Sequence, residues 1–426
     1  MARAKKLKGD GSYREIGADK DGKPVYEVTI STGWNPLKRR YEKRTRRAHG
    51  TMAEVVRVRD ELKAEVGAGI VRDADKETFH DFATEWLKLR EADGSLSKST
   101  ISINRRCLGV LFEYMGTWRL KDVKAANVDS VYGCIREDRG YSGSTMKQIH
   151  ITLNLMMKKA VEYGYVASNP IELVQKPKPG KSERRSLDPQ QAARLSAGLR
   201  EEWAGVLGRF ETALSSGEMA GRRRVPDMRA LSCVVAVRLI AATGMRRGEA
   251  CGLSWGCVEL GEGREALRVV SSLTPDGELT EPKTNAGIRP VAIDGATADM
   301  LREWREMQRA ALASLGIIQG TATPVCSCST GAHLSPRELD RWWGAFRKSV
   351  GLDGWVLHEL RHTQATLLLA EGVDVKTVAA RLGHSSPSVT LNMYAHAMPE
   401  VDRNAAQAMG DILAGCRDGK GVLKIA

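Results

Sequence analysis

The chain has 426 residues, with 65 Lys and Arg against 52 Asp and Glu, a formal charge of +13. That length accommodates two to four domains, and the positive balance favours a polyanionic partner, because each cation set on a phosphate releases condensed counterions. Eight cysteines without a C-x-x-C pair exclude a disulfide-stapled or zinc-knuckle domain, and no apolar run is long enough to span a bilayer.

The charged start, MARAKKLKG, leads into no apolar segment, so a secretory signal is not expected and the cysteines are read as reduced thiols of a cytoplasmic protein. Residues 1–72 hold 18 Lys and Arg against 10 Asp and Glu, a net +8. Within them, 10–48 reads as short strands. Tyr26, Val28 and Ile30 alternate with polar neighbours, and Asp19-Lys20-Asp21-Gly22 marks a turn before them. Lys38, Arg39, Arg40, Lys43, Arg44, Arg46 and Arg47 then fill a mostly cationic strand. Thr51 and Glu54 make a capping box, and the helix behind it lines up Val55, Val58, Leu62 and Val66 before Gly67. A small sheet with a basic strand, backed by one helix, suits insertion into a DNA groove, with those seven cations as candidate contacts.

Residues 76–174 read as helical. Three apolar stripes recur at helical spacing: Phe79, Phe82, Trp86 and Leu89; Ile101, Leu108, Leu111, Phe112 and Met115; and Met146, Ile149, Leu153, Met156 and Ala160. They describe the core of a small helical domain. Residues 175–186 follow as a basic, Pro-containing linker.

Asp188-Pro189 opens a further helix. Residues 200–227, with Arg222, Arg223 and Arg224, are expected to be a long loop or insertion. From 228 the order is a buried helix, interrupted in polarity by Arg238, then Thr243-Gly244-Met245-Arg246-Arg247-Gly248-Glu249. A hairpin follows, from strand Ala266–Val270 through a turn at 274–277 to strand Arg289–Ile293, with Lys283 on its return. The remainder is helical, including a Ser335-x-x-Glu338 capping box.

His358-Glu359-Leu360-Arg361-His362 admits two chemistries. Read as H-E-x-x-H, two imidazoles would hold zinc with Glu359 as base. Read as H-x-x-R, His358 and Arg361 share a helix face and grip a phosphate. The zinc reading needs a third ligand; position 368 is Leu, position 365 is Ala, and neither Glu371 nor Glu400 fits the usual spacing. No metal and no cofactor are therefore expected. Transfer of a phosphodiester needs a nucleophile, an acceptor for its proton, a donor for the departing oxygen, and fixed cations around the phosphate. Arg246, Lys283, His358, Arg361, His384 and Tyr394 supply these types in order.

The segments TGMRRGEACGLSW, EPKTNAGIRPVAI, HELRHTQATLLLAEG and LGHSS, followed by Tyr394, resemble the tyrosine recombinases of the phage-integrase family. The resemblance is strong over 183–410 and looser before it. It implies that Tyr394 is the nucleophile, that Arg246, Arg361 and His384 hold the phosphate, that His358 is the acid/base and that Lys283 protonates the leaving oxygen. Glu249 and His362 would support the site. It also implies an α+β multidomain protein. Residues 1–70 would be an arm-type DNA-binding domain with a three-stranded sheet and helix, and 76–174 an all-α core-binding domain. Residues 187–426 would be a mainly α catalytic domain with a small antiparallel sheet. The expected activity is site-specific DNA integration and excision through a 3′-phosphotyrosine, by a homotetramer on double-stranded DNA. An excisionase-type directionality factor and a DNA-bending host protein are the implied accessory partners. A type IB topoisomerase-like relaxase or a non-catalytic DNA-binding protein are the alternatives.

Overall fold

The computed structural model describes residues 5–6, 11–35, 40–67, 77–180, 185–215, 228–282, 284–394, 406–407 and 409–413. The chain divides into two compact units, Met1–Ser182 and Glu183–Ala426.

The first unit begins with an antiparallel sheet in the order β1 (Lys5–Lys6), β2 (Ser12–Ala18), β3 (Pro24–Asn35) and β4 (Arg40–His49), followed by helix α1 (Met52–Gly67). Three strands carry the sheet, and the two-residue β1 is an edge that the sequence pattern does not reveal. Alternation decides its two faces. Val28, Ile30 and Ala48 pack with Val55, Val58 and Leu62 of α1 into a small core. Register places Arg46 opposite Val28 and Arg44 opposite Ile30, on the helix side, and Arg46 pairs with Glu61 of α1 at 3.5 Å. Lys43, Thr45 and Arg47 stand opposite Ser31, Thr29 and Glu27, on the open face, where Arg14 joins them beside Glu27. Lys38 and Arg39 lie outside the described residues, and of Arg40 only the backbone place in β4 is described.

The same unit continues through α2 (Phe79–Ala92), α3 (Lys98–Met115), α4 (Ala125–Arg139) and α5 (Gly143–Glu162). Thr78, Ser97 and Ser142 cap α2, α3 and α5, each accepting a backbone N–H three residues on. The three apolar stripes meet in one core with Leu120, Tyr132 and Ile135.

The second unit opens with α6 (Pro189–Ser215) and α7 (Met228–Thr243). Residues 200–215 are thus helix, not loop. Leu195, Leu199, Val206 and Phe210 are buried, with Trp203 partly so, a stripe at 3.6-residue spacing that outweighs the polar composition around it. Arg222, Arg223 and Arg224 lie outside the described residues. Next come α8 (Arg247–Cys251), β5 (Val258–Glu259), β6 (Ala266–Val269), β7 (Ser272–Leu273), β8 (Leu279–Thr280) and β9 (Arg289–Ala292). β6 pairs with β5 and β9, while β7 and β8 form a separate short hairpin around the 274–277 turn. The chain continues through α9 (Gly295–Ser314), α10 (Pro336–Ser349), α11 (Leu357–Ala370), α12 (Val375–Leu382) and α13 (Pro387–Tyr394). α7 is buried on nearly all sides and touches α6, α8, α9, α10 and α11. α8, which follows Arg246, and α11, which carries Arg361, pack directly against it, and α12 and α13 pack on α11. Among the described residues no helix is long and apolar enough to cross a membrane.

Candidate active site

α7 ends in a left-handed turn at Gly244 (φ +68°), and the next residues start α8. Arg246 sits at the N-terminus of α8, with Glu249 one turn on. The Glu249 carboxylate accepts the Arg246 backbone N–H and its guanidinium, both at 2.8 Å. Arg246 is 45% exposed, whereas Glu249 is 3% exposed. The carboxylate is thus a buried brace for a cation that reaches outward. Burial alone would raise the Glu249 carboxyl, but Arg289 and then Arg246 hold it below the usual carboxylate range.

Arg361 projects from α11 and is 1% exposed. Its Nη1 donates to the Gly244 carbonyl at 2.6 Å and its Nη2 to the Leu382 carbonyl at 2.5 Å. One guanidinium therefore clamps the joint before Arg246 to the end of α12, just before His384. α12 stops at Gly383 in the left-handed region (φ +68°), which turns the chain so that His384 Nδ1 meets the buried Thr390 hydroxyl of α13 at 2.8 Å. Tyr394 is the last residue of α13, so the Thr390 contact ties the helix that ends in Tyr394 to His384. Lys283 lies outside the described residues.

Arg246, Arg361, Glu249 and His384 are thereby brought together. Desolvation, then the charge of Arg246, pushes Arg361 down to about 9. Desolvation, with Arg361, Arg246 and Arg289, pushes His384 down to about 4, so its ring is neutral at neutral pH. His362 is half-buried and acts on His384. His358 is exposed, and its ring meets that of His362 edge to face at 4.7 Å.

Glu359 is engaged elsewhere. Its carboxylate takes the Arg185 guanidinium at 2.9 and 3.0 Å and accepts the Val356 N–H at 2.7 Å, capping α11. Arg185 also lies 4.6 Å over the Trp355 ring. In the H-E-x-x-H reading this carboxylate would be the base; here it anchors the chain entering the second unit.

Residues 225–400 match the Phage integrase family. That match, together with the relatives below, supports a tyrosine recombinase. It is 23% identical over 424 residues to a tyrosine recombinase XerC-like protein of Caldanaerobacter subterraneus subsp. tengcongensis, an alignment spanning 92% of this chain and 97% of that one. Its fold is similar to that of the Tn1549 transposon integrase solved with a circular intermediate DNA, with a TM-score of 0.59, 20% identity and coverage of 78% and 99% of the two chains. It is also similar to the lambda integrase seen as a tetramer on a Holliday junction, with a TM-score of 0.51, 17% identity and coverage of 91% and 96%. Together with the integrase and recombinase relatives, the family match supports a site-specific DNA recombinase, and the relaxase and non-catalytic alternatives are not favoured.

Arg289 and Thr390 escaped the motif-based reading. For Arg289 the signal was available: it shares the inward phase of β9 with Val291 while Pro290 and Ala292 face out, so a charge is inserted into a core face. Thr390 had no such signal, since a helix Thr one turn before a Tyr is unremarkable.

Proposed function

We propose that this recombinase integrates and excises a mobile element, phage or transposon-like, by cutting DNA through Tyr394. The Tyr394 oxygen attacks phosphorus, the bond to the 5′-oxygen breaks, and a 3′-phosphotyrosine is left. His358 accepts the tyrosine proton, and Lys283 returns one to the departing 5′-oxygen. Arg246, Arg361 and His384 hold the phosphate while its charge is spread over the non-bridging oxygens. A partner strand's 5′-hydroxyl reverses the step, so ester energy is conserved and no nucleotide is consumed. The protein cations supply the electrostatics, and the scheme needs no metal.

The observation that carries this reading is charge imbalance in a small space. Arg246 and Arg289 bond the Glu249 carboxylate and Arg361 feels its charge, so three guanidiniums share one carboxylate beside a neutral His384. Desolvation first, and the neighbouring guanidinium charges second, depress Arg361 and His384, and an incoming phosphate would offset the positive charge.

The DNA is double-stranded, bound at core sites by the catalytic and helical parts and at arm sites by the N-terminal sheet. Two duplexes must be exchanged, which supports a homotetramer on DNA, the assembly seen for lambda integrase. A directionality factor and a DNA-bending host protein fit the two-site layout, in the nucleoid of a bacterial host.

The test is a core-site suicide duplex nicked so that the cleaved fragment diffuses away. Wild type should accumulate a covalent protein–DNA adduct, in excess EDTA as well. Tyr394→Phe should bind the duplex with similar affinity and form none. An adduct from the Phe variant would remove Tyr394 as nucleophile.

A further inference from the structure

Arg289 lies in β9, 5% exposed, behind the residues already described. Its guanidinium bonds reach three parts of the site. Nη2 and Nη1 donate to the two Glu249 oxygens at 2.9 and 3.4 Å. Nε donates to the Arg381 carbonyl at 2.7 Å, and Nη1 also to the Gly287 carbonyl at 3.0 Å. These partners belong to three separate segments. Glu249 braces Arg246. The Arg381 carbonyl precedes Leu382, which binds Arg361, and Gly383, which turns the chain to His384. Gly287 ends the return that leads from Lys283 into β9. Room for the guanidinium is left by the sequence: a Cβ on Gly383 would stand 2.8 Å from Arg289 Nη1 and 2.9 Å from the Ala286 carbonyl.

We infer that Arg289 is a positioning residue for strand cleavage. Its planar fork fixes Glu249, and so Arg246, relative to the His384 turn and the Gly287 turn that leads into β9, without itself touching DNA. Neutralising Glu249 would need only a positive charge, which Lys could supply. Holding a carboxylate and two carbonyls on three segments needs a rigid array of N–H groups, which Lys lacks. The two roles therefore separate in one substitution.

This inference rests on the proposed Tyr394 chemistry, and wild-type adduct formation on the suicide duplex reports separately on that. In the full-length protein, Arg289→Lys should bind core-site DNA with unchanged affinity and melt close to wild type. Its single-turnover adduct formation should be slower by about 10²-fold, the penalty of an ångström-scale misplacement. A duplex with a neutral methylphosphonate at the scissile position should shrink that penalty, because a displaced Arg246 matters less when the phosphate carries no charge to clamp. Gly383→Ala, which crowds Nη1 without changing charge, should reproduce the same pattern and serves if Arg289→Lys does not fold. Wild-type cleavage by a folded Arg289→Lys, or an equal penalty on both substrates, overturns the inference and leaves Arg289 as a stabilising ion pair alone.

Discussion

At the scale of single residues, the site is built from side chains whose partners are backbone carbonyls. Arg361 donates to the Gly244 and Leu382 carbonyls, and Arg289 to those of Arg381 and Gly287 as well as to Glu249. A guanidinium keeps its proton at neutral pH, Arg361 included even when pushed down to about 9, so these contacts persist where a carboxylate pair would titrate. His384 is the group that does titrate. Its folded value of about 4 lies below the ordinary 6.5, so between the two the unfolded chain holds a proton that the folded chain refuses. Stability from this group is present above 6.5 and is lost as pH falls toward 4. We expect urea denaturation of wild type to lose stability on acidification across this window. His384→Gln should lack part of that slope, the difference approaching at most about 1.4 kcal/mol per pH unit for one proton. Parallel curves for the two proteins would contradict the neutral-imidazole assignment.

At the scale of elements, the short joints matter more than the helices they connect. Gly244 links α7 to Arg246 at φ +68°, and a Cβ there would lie 2.1 Å from Gln364 Oε1 and 2.3 Å from Leu382 Cδ2. Left-handed backbone and overpacking would act together. Gly244→Ala should destabilise the catalytic unit by about 2–4 kcal/mol, read from the denaturant midpoint of a fragment-independent probe such as Trp fluorescence of the full chain. The α11 N-terminus gives the complementary case. Glu359 caps the helix and ties it to Arg185, so the acidic residue of the HELRH pentapeptide serves helix placement, and the helix in turn fixes Arg361.

At the scale of the whole molecule, positive charge is distributed with purpose. The N-terminal sheet divides its cations between two faces. Arg46 is spent on Glu61 of α1, while Lys43 and Arg47 stand on the open face beside Arg14 and Thr29. Only the open face is free of the backing helix. Lys43→Ala and Arg47→Ala should weaken arm-site binding and reduce the steepness of its salt dependence by about one counterion per lost phosphate contact. Arg46→Ala should leave that slope unchanged and cost α1 packing instead. Titrations of an arm-site duplex at several salt concentrations distinguish the two, and equal slopes for all three variants would remove the open face as the binding surface.

Residue order alone was enough to identify the family chemistry. Arg246, Arg361, His384 and Tyr394 sit in motifs whose wording survives without a structure, and the apolar stripes at 79–89, 101–115 and 146–160 predict helices because burial imposes the helical period on the sequence. The amino-acid order also excluded a plausible third zinc ligand. It did not separate Arg44 and Arg46 from Lys43 and Arg47, because one strand presents alternate residues to opposite faces and only pairing with β3 says which face meets α1. It misread 200–215, where a spaced apolar stripe is diluted by polar residues. It passed over Arg289, whose partners lie 40, 92 and 2 residues away on three segments, and Thr390, whose partner lies six residues away. Motifs record which groups take part in chemistry. Which buried groups hold them in place is a matter of long-range packing, and that was decided only when α8, β9, α11 and α12 closed around one another.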